Sequence, residues 1–560
     1  MKERRFAAII ISVLTICSWL DFASAAPTTQ TATLTPGWNA VFLEVQPESA
    51  DPAVVFNGIT DLESVWMWNP KTSTVEFIQD PNVPVPQGST WLVYYPADPI
   101  LTNLHAIHGE TAYLIKLGGS SDVTWAVTGE PSLPYIGWKP NAFNFTGFHL
   151  ADGQEPLFDD FFSSSAAHAG QEIYILDNES GNWKKVEEPS TRMKSGEAFW
   201  IFCNGYSEFT GPLSVQLPQF AGLHYGKSLQ EQTLIMRNHG AADKTVILSL
   251  SALNDTVHYW VFDPTNDVAG WMAFPPDALT VPAGDFQKLR LGVKRAGLAA
   301  DTEYEANMTV TDDEGMKVLL PLSVTGISYA GLWVGNATIT KVNEPANVTD
   351  AATPVKTGSE FSFRLVMHAD ESGTVRLLSQ VYQMWQGGTW KPDPNDLGKL
   401  IIDQPGQFVL FTDDALISNY SGSAMRDGQL VGRRISAPAF PVLDAGKGLM
   451  SGSMDPTEGN TLSVTITLGQ SDPTNPFMHK YHPDHKSPQS YEVVRNVTLT
   501  FQDEDNEGRP ITGVPTLGWG SNEIGGIYKE AITGLHRNDL HMEGTFLMRK
   551  VSGVETLTTN

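Results

Sequence analysis

The sequence predicts an all-β protein, built from β-sandwich and immunoglobulin-like modules in series. Short apolar-alternating segments separated by turn residues run along most of the 560 residues, and 49 glycines and 36 prolines accompany them. In KTVILSLS, for example, Val246, Leu248 and Leu250 fall on one face of an extended strand, and the residues between them fall on the other. The sequence contains no long segment of helical periodicity, which also favours strands.

Residues 1–25 read as a secretory signal peptide. Lys2, Arg4 and Arg5 precede an apolar run over residues 6–20, and small residues follow at 23–25. The apolar run is shorter than the roughly 20 residues that a membrane-spanning helix needs. We therefore expect export, a mature chain that begins near Ala26, and no transmembrane segment.

Residues 26–130 and 131–215 are predicted to be two copies of one β unit. The first copy opens with GWNAVFLEV from Gly37 and closes with a strand that begins GETAY at Gly109. The second opens with NAFNFTGFHL from Asn141 and closes with GEAF at Gly196, one residue shorter. Recurrence of the same opening and closing strands indicates a tandem repeat.

Two further units follow the repeats. Residues 216–328 carry about seven strand-like segments at intervals near ten residues, which is typical of an immunoglobulin-like sandwich. A turn at Asp312–Gly315 is expected to join two of these strands. Residues 329–560 form a C-terminal β-sandwich module with strands such as SVTITL and NVTLTF, while DPNDLGK (393–399) and SGSAMRDGQ (421–429) are expected to be exposed loops.

The charge of the chain makes one class of partner unfavourable, and its cysteine content limits disulfide formation. The chain has 36 basic against 63 acidic residues and a net charge of −27, so a phosphate backbone would be repelled and nucleic acid is a poor partner. After removal of the signal peptide Cys203 is the one remaining cysteine, which excludes an internal disulfide. Its place in the apolar segment FWIFCNG predicts a buried, unreactive thiol.

The motifs above resemble those of large modular proteins exported by bacteria. The GWN opening and the GE-x-A-aromatic closing strand are similar to tandem GWN/GYW-type repeats, and LIMRNHGAADKTVILSLS with LTVPAGDFQKLRLGV resembles BACON and abnormal-spindle-type immunoglobulin-like domains. The C-terminal part is similar to an uncharacterised β module of the same kind of protein. This resemblance implies an exported, modular protein without enzymatic activity.

A histidine-rich segment, NPFMHKYHPDH, raises the possibility of a metal centre. His479, His482 and His485 are three residues apart, with Asp484 beside the last, and histidine and carboxylate are common ligands of transition metals. On a strand this spacing puts neighbouring histidines on opposite faces, and Pro483 opposes a helix. A hydrogen-bonded loop is therefore favoured over a metal site. In a metal site, one or two of these histidines would combine with Asp484, or with His541 and Glu543 from the later segment LHMEG.

Two other candidate sites are weaker. DEDNEG at 503–508 has the order of a calcium loop, but Val514 stands where the twelfth-position glutamate is needed, so a hairpin turn is the better interpretation. Tyr94 and Tyr95 lie on opposite faces of an aromatic-rich strand and are the most plausible exposed platform for a sugar ring. Recurrence of tryptophans in both repeat copies argues instead that most of these aromatics are core.

The chain contains no G-x-S-x-G, H-E-x-x-H, Walker or dinucleotide-binding motif. We therefore predict an exported extracellular or cell-surface protein that serves binding, adhesion or assembly, without catalysis and without a cofactor. Its partner would be a protein or a glycan at the cell surface. The alternatives are a metal-dependent hydrolase centred on the histidine-rich segment, and polysaccharide binding by the N-terminal repeats.

Overall fold

The computed structural model describes most of the chain from Ala26 to Thr558. It leaves out the following residues: 70–90, 179, 220–221, 266–267, 344–352, 421–423, 427–428, 432, 438–439, 441–445, 479–490, 506, 515–516, 521 and 537. Strands hold 52% of the chain and helices 4%, which confirms the all-β class. None of the helices in the described residues has the length and apolarity that a membrane crossing requires.

The first unit is a small sandwich of two antiparallel sheets, ordered β1-β7-β3 and β2-β6-β4-β5. Its elements are β1 (Thr28–Leu34), β2 (Gly37–Leu43), β3 (Val45–Pro47), α1 (Pro52–Val55), β4 (Leu62–Trp68), β5 (Trp91–Tyr94), β6 (Thr111–Leu117) and β7 (Val123–Pro131). Strict alternation along β7 buries Trp125 and Val127 between the sheets, against Tyr113 and Ile115 of β6.

The second unit is a single four-stranded sheet, ordered β10-β9-β11-β8, and a short helix covers one of its faces. Its elements are β8 (Ala142–Thr146), α2 (Phe158–Phe162), β9 (Ile173–Asp177), β10 (Asn182–Lys185) and β11 (Phe199–Cys203). Phe158 and Phe162 of α2 contact Phe199 edge-on, at ring-centroid distances of 5.0 and 6.2 Å. This unit is thus a four-stranded sheet with a helix packed on one face.

Aromatic side chains join the first two units face to face. The rings of Trp68 and Trp91, in the first unit, lie 5.2 and 6.2 Å from the ring of Trp200 in the second unit. Phe145, also of the second unit, lies 5.1 Å from Trp200. The tryptophans that recur in both copies therefore pack against one another, as expected of core positions.

The third unit is a sandwich of two five-stranded sheets, ordered β12-β14-β19-β16-β17 and β13-β21-β20-β15-β18. Its strands are β12 (Leu213–Gln216), β13 (Leu223–His224), β14 (Glu231–Asn238), β15 (Lys244–Leu250), β16 (Val257–Asp263), β17 (Val268–Ala273), β18 (Leu279–Val281), β19 (Phe286–Val293), β20 (Glu303–Asp312) and β21 (Lys317–Thr325). Val246 and Leu248 are buried while Thr245 and Ile247 are exposed, as the alternation predicts. The predicted turn after Asp312 joins β20 to β21.

The fourth unit is built on a seven-stranded antiparallel sheet, ordered β24-β23-β22-β35-β34-β33-β32, with a second sheet ordered β31-β25-β28-β36 and two separate hairpins, β26-β27 and β29-β30. Its strands are β22 (Gly331–Val342), β23 (Val355–Ala369), β24 (Val375–Leu377), β25 (Gln380–Gln386), β26 (Thr389–Asp393), β27 (Asp396–Gln404), β28 (Gln407–Phe411), β29 (Ala424–Arg426), β30 (Gln429–Val431), β31 (Arg433–Ser436), β32 (Thr461–Leu468), β33 (Val493–Phe501), β34 (Glu523–Thr533), β35 (Leu540–Ser552) and β36 (Leu557–Thr558). Two 3-10 helices span Asp414–Asn419 and Pro476–Met478.

Trp519 of the fourth unit packs on the outer face of the third. Its ring lies 4.5 Å from Trp271 and 5.7 Å from His258, and only 5% of the residue is exposed. Gly292 of β19 makes room for it, since a Cβ there would lie 2.1 Å from the Trp519 ring. The two large units are therefore joined by an inserted side chain as well as by the connecting chain.

Candidate functional site

A polar cleft of about 400 Å³ lies where the first three units meet. Strand β1 forms one side, residues 194–197 of the second unit contribute another, and Lys317 of the third unit also lines it. Because three separate units contribute, the cleft forms only when all three have folded and packed.

A buried cluster of charged side chains lies beside this cleft. His149 is 2% exposed, and its Nε2 donates to Glu110 Oε1 over 2.6 Å. On the other side of the ring, His149 Nδ1 lies 3.8 Å from Glu44 Oε2, and Lys317 Nζ lies 3.4 Å from the same oxygen. Glu44 Oε1 is buried without a hydrogen-bond partner among the described residues.

Equivalent positions of the two repeats supply two members of the cluster. The side-chain amide of Asn39 bonds both backbone groups of Thr35, and that of Asn144 bonds both backbone groups of Lys139. The two asparagines therefore occupy the same position in each copy. Counting on from these asparagines, Glu44 of the first copy corresponds to His149 of the second. The contact between the copies is therefore made by one position of the repeat and its duplicate.

Glu110 has a backbone conformation that favours glycine. Its φ is +53°. The strand registers pair Val41 with Tyr113 and Thr146 with Phe199, so Glu110 stands where the second copy has Gly196, with φ +69°. A non-glycine residue in this conformation costs about 1–3 kcal/mol of folding free energy, and such strain typically persists where the side chain makes a specific contact. The contact here is that of its carboxylate with His149.

The cleft itself is lined mainly by hydrogen-bonding groups and carboxylates. Glu197 is partly buried, which raises the pKa of its carboxyl group, and Lys194 Nζ lies 3.7 Å away. Asp152 also lines the cleft, and the Lys317 ammonium is already engaged by Glu44. Lys194 is 74% exposed, so the carboxylates rather than the lysines define the charge inside the cleft.

Strand β1 turns a free backbone edge towards this space. It pairs with β7 alone, and among the described residues no other backbone group bonds it. The Gln30 side chain reaches from β1 to the end of β2, where its Nε2 donates to Phe42 O and its Oε1 accepts from Glu44 N. An unpaired strand edge is a ready template for an extended peptide.

The His149 contacts make the junction sensitive to pH. Burial lowers the pKa of His149, but the charges of Glu110 and Glu44 more than offset this and hold the pKa above its ordinary value of 6.5. The stability that protonated His149 contributes is complete below about pH 6.5. It is lost as the pH rises through the higher folded pKa.

We therefore expect His149→Gln to lower the melting temperature more at pH 6 than at pH 9. Glutamine can still donate to Glu110 but cannot carry the charge, so the difference from the parent shrinks when His149 itself loses its proton. Calorimetry at the two pH values measures this, with the exposed His105→Gln as the matched control. An equal loss at both pH values would rule out a charged His149.

The histidine-rich candidate lies outside the described residues, which include neither His479 nor His482, Asp484 and His485. The residues on either side are described. Asn475 is fully buried, and its amide donates to Tyr491 O over 2.7 Å, which joins the described residues on the two sides. Within the described residues, no three histidine, cysteine, aspartate or glutamate side chains lie close enough together to hold a metal ion.

Tyr94 and Tyr95 lie on opposite faces of the sheet edge, and both are half-buried. Tyr94 stacks on Phe56 at 6.5 Å, while Tyr95 meets Trp66 edge-on at 6.2 Å. Sugar binding at these residues stays a prediction.

The other two sequence candidates, Cys203 and the acidic turn, both make local hydrogen bonds. Cys203 is buried, and its thiol donates to Gly205 O at 3.2 Å. In the acidic turn the Asp505 carboxylate accepts from two backbone amides and from the Arg509 guanidinium, so the turn is closed by its own side chains.

Sequence reasoning missed the cluster at the junction. Glu44, Glu110, His149 and Lys317 come from three units and share no local spacing. The one available signal was the repeat itself, because the glycine–glutamate pair recurs in both copies.

No family model matches the chain, and no curated protein matches it. Among solved structures the chain is similar to the complex of CsuC and CsuE, a chaperone and tip adhesion subunit from the archaic chaperone-usher Csu pili of Acinetobacter baumannii. The identity is 13%, with 34% of this chain and 97% of that chain covered and a TM-score of 0.15. The chaperone YadV (10% identity, 35% and 100% covered, TM-score 0.16) and a mutant Salmonella alpha-2-macroglobulin (9%, 91% and 38%, TM-score 0.14) are also similar. At these TM-scores the likenesses carry no argument about function.

Proposed function

We propose that this chain is an exported binding or assembly protein without catalytic activity, which holds an extended segment of a protein partner in the cleft. The observation that carries the proposal is the free edge of β1 along one side of the cleft. The signal peptide predicted at residues 1–25 supports export.

The edge of β1 suits an added strand. Extended peptides bind such edges through backbone hydrogen bonds, at a strand spacing of about 4.8 Å, and alternate side chains then determine specificity. The 19 residues that line the cleft include six consecutive residues of β1, Thr28–Thr33. A partner strand of about six residues would therefore run along the whole length of the edge.

The charges favour a basic side chain on the partner. Glu197 and Asp152 line the cleft, and the side chain of Glu197 is 17% exposed. A lysine or arginine of the partner would replace Lys194, which is held only at the surface. The attraction would be strengthened by the partial burial of Glu197.

The buried cluster supports the absence of catalysis. The side chain of His149 is 1% exposed and is held between two glutamates. A general base must come within hydrogen-bond reach of its substrate. His149 is enclosed by Glu44 and Glu110, which favours a structural role for the cluster.

The proposal is tested with fluorescein-labelled peptides of sequence TVTXTVT, in which X is lysine, alanine or glutamate. Fluorescence anisotropy of the mature chain should show the lysine peptide binding at least about tenfold more tightly than the glutamate peptide, a difference of about 1.4 kcal/mol. Glu197→Gln should reduce that ratio to below about threefold, because the neutral amide no longer attracts the ammonium group.

Glu63→Gln is the matched control. Glu63 is an exposed glutamate of the same half of the protein, paired with Lys116 outside the cleft, and its removal should leave the ratio unchanged. Absence of binding by all three peptides at about 1 mM, or equal binding of the lysine and glutamate peptides, would refute the proposal.

A further inference from the structure

Strands β26 and β27 form a hairpin, residues 389–404, which we call the arm. They pair with one another and, within the described part of the chain, with no other strand. The arm continues the β25 and β28 strand pair, where Trp385 meets Phe408 edge-on at 5.0 Å. The DPNDLGK segment, for which the sequence suggested a loop, is the tip of this hairpin and the start of β27.

The arm exposes large apolar side chains. Trp390 is 62% exposed, Leu400 60% and Ile402 56%, and at the base Phe408 is 53% exposed. The register pairs Trp390 with Ile402 and Pro392 with Leu400, so these four residues share one face of the hairpin. A two-stranded hairpin is only marginally stable in water, and a third strand or a packed face is normally needed.

The two edges of the arm differ. Pro392 in β26 has no N–H group and weakens that edge as a template for pairing. Strand β27 reads DLGKLIIDQ from Asp396 to Gln404 and contains no proline, so each of its residues has an N–H group. The edge of β27 is therefore the better one for the addition of a strand.

The charge distribution allows a second copy of this chain to approach at the arm. With a net charge of −27, two copies repel one another over most of their surfaces. The charges of the arm nearly cancel, because it has Lys391 and Lys399 against three aspartates. Lys391 Nζ lies 2.8 Å from Asp403 of the same arm. Two copies can therefore approach more easily at the arm than elsewhere.

The sequence of β27 is also self-complementary. If two β27 strands pair antiparallel about a two-fold axis at Ile401, Lys399 of each copy lies opposite Asp403 of the other. Leu400 then lies opposite Ile402. Each of these pairs occurs twice, as an isologous interface requires.

We propose that the chain forms a homodimer through antiparallel pairing of β27 with β27 of a second copy, giving a four-stranded sheet with a shared apolar face. This interface is separate from the cleft, so its success or failure is independent of peptide binding.

The test is sedimentation velocity and equilibrium of the mature chain over about 0.1–100 µM. We expect a dimer. Lys399→Glu places glutamate opposite Asp403, Asp403→Lys places lysine opposite Lys399, and each variant alone should weaken dimerisation at least about tenfold.

Mixing the two variants supplies the decisive comparison. In the mixed dimer both facing pairs are again of opposite charge, so the equimolar mixture should associate more tightly than either variant alone. Loss of folding cannot produce this rescue. Leu400→Ser should also weaken association, while Phe262→Ser, at an apolar residue of the third unit that is still more exposed (71%), should have no effect.

Three results would overturn the proposal. The first is a parent chain that is monomeric at 100 µM. The second is an oligomer that none of the arm variants affects, which would place the interface elsewhere. The third is a monomer whose tryptophan fluorescence shifts to the blue with phosphatidylcholine vesicles but not with protein concentration, which would assign the arm to a lipid surface.

Discussion

Replacing Arg295 by methionine should separate the unfolding of the third, immunoglobulin-like unit from that of the fourth, C-terminal unit. It should lower the unfolding free energy of the protein by about 3 kcal/mol. Arg295 is 2% exposed, and its guanidinium donates to carbonyl groups from three parts of the chain. The contacts are to Thr325 O at 3.0 Å, Gly226 O at 2.8 Å, Leu229 O at 2.7 Å and Trp519 O at 2.9 Å.

Loss of Arg295 removes its hydrogen bonds to these carbonyl groups beside the place where Trp519 packs on Gly292 and Trp271. Burial lowers the pKa of the Arg295 guanidinium, so removing the charge recovers part of the loss. Hydrogen bonds to a charged group are nevertheless worth about 1.5–3 kcal/mol each, which leaves a net destabilisation.

Differential scanning calorimetry measures this effect directly. The parent should show the two units melting together, and Arg295→Met should show two transitions. Arg549→Met is the control, because Arg549 is 71% exposed and binds Glu523 at the surface, where an ion pair contributes at most about 1 kcal/mol. An unchanged melting profile for Arg295→Met would show that the Trp519 ring alone holds the junction.

The second large effect is expected for Glu530→Gln, which should destabilise the C-terminal unit by about 3–5 kcal/mol. The side chain of Glu530 is fully buried. Its Oε1 accepts from Arg495 Nε at 2.5 Å, and its Oε2 accepts from Tyr528 Oη at 2.8 Å. The Arg495 guanidinium also lies 4.8 Å above the Phe440 ring. Glutamine would leave this cation buried without its counter-charge.

Strand β34 contains its own control. Glu523→Gln is the same change on the same strand, against the exposed Arg549, and should cost less than about 1 kcal/mol. Urea unfolding, followed by the transition of the C-terminal unit, compares the two. Arg495→Met with Glu530→Leu should recover most of the loss, because removing both charges leaves neither unpaired. Equal effects of the two glutamate variants would contradict the expected role of burial.

The parts of the fold that follow from local patterns could be predicted from the sequence. Period-two alternation placed Val246 and Leu248 inside the sandwich, and the acidic turn after Asp312 joins the two strands that it was expected to join. Both depend on residues that are neighbours in the chain, so the physical cause lies within a few positions.

The cleft and the arm could not be predicted in this way. Glu44, His149 and Lys317 meet because three units pack together, and no local spacing encodes that packing. In the arm, the Asp-Pro-Asn tip suggested a loop, since turn residues mark the bend but not the length of the strands on either side. The exposure of Trp390 and Ile402 depends on what the rest of the unit leaves uncovered.

The contact between Glu44 and His149 has a consequence for the ancestry and exchange of the two repeats. When a duplicated domain packs against its own copy so that one position meets its duplicate, two glutamates or two protonated histidines at that position would repel one another. Divergence of one member converts repulsion into attraction. Neither repeat can then be replaced by a second copy of the other, so a chimaera with two identical repeats would lose this contact even if each repeat folded correctly.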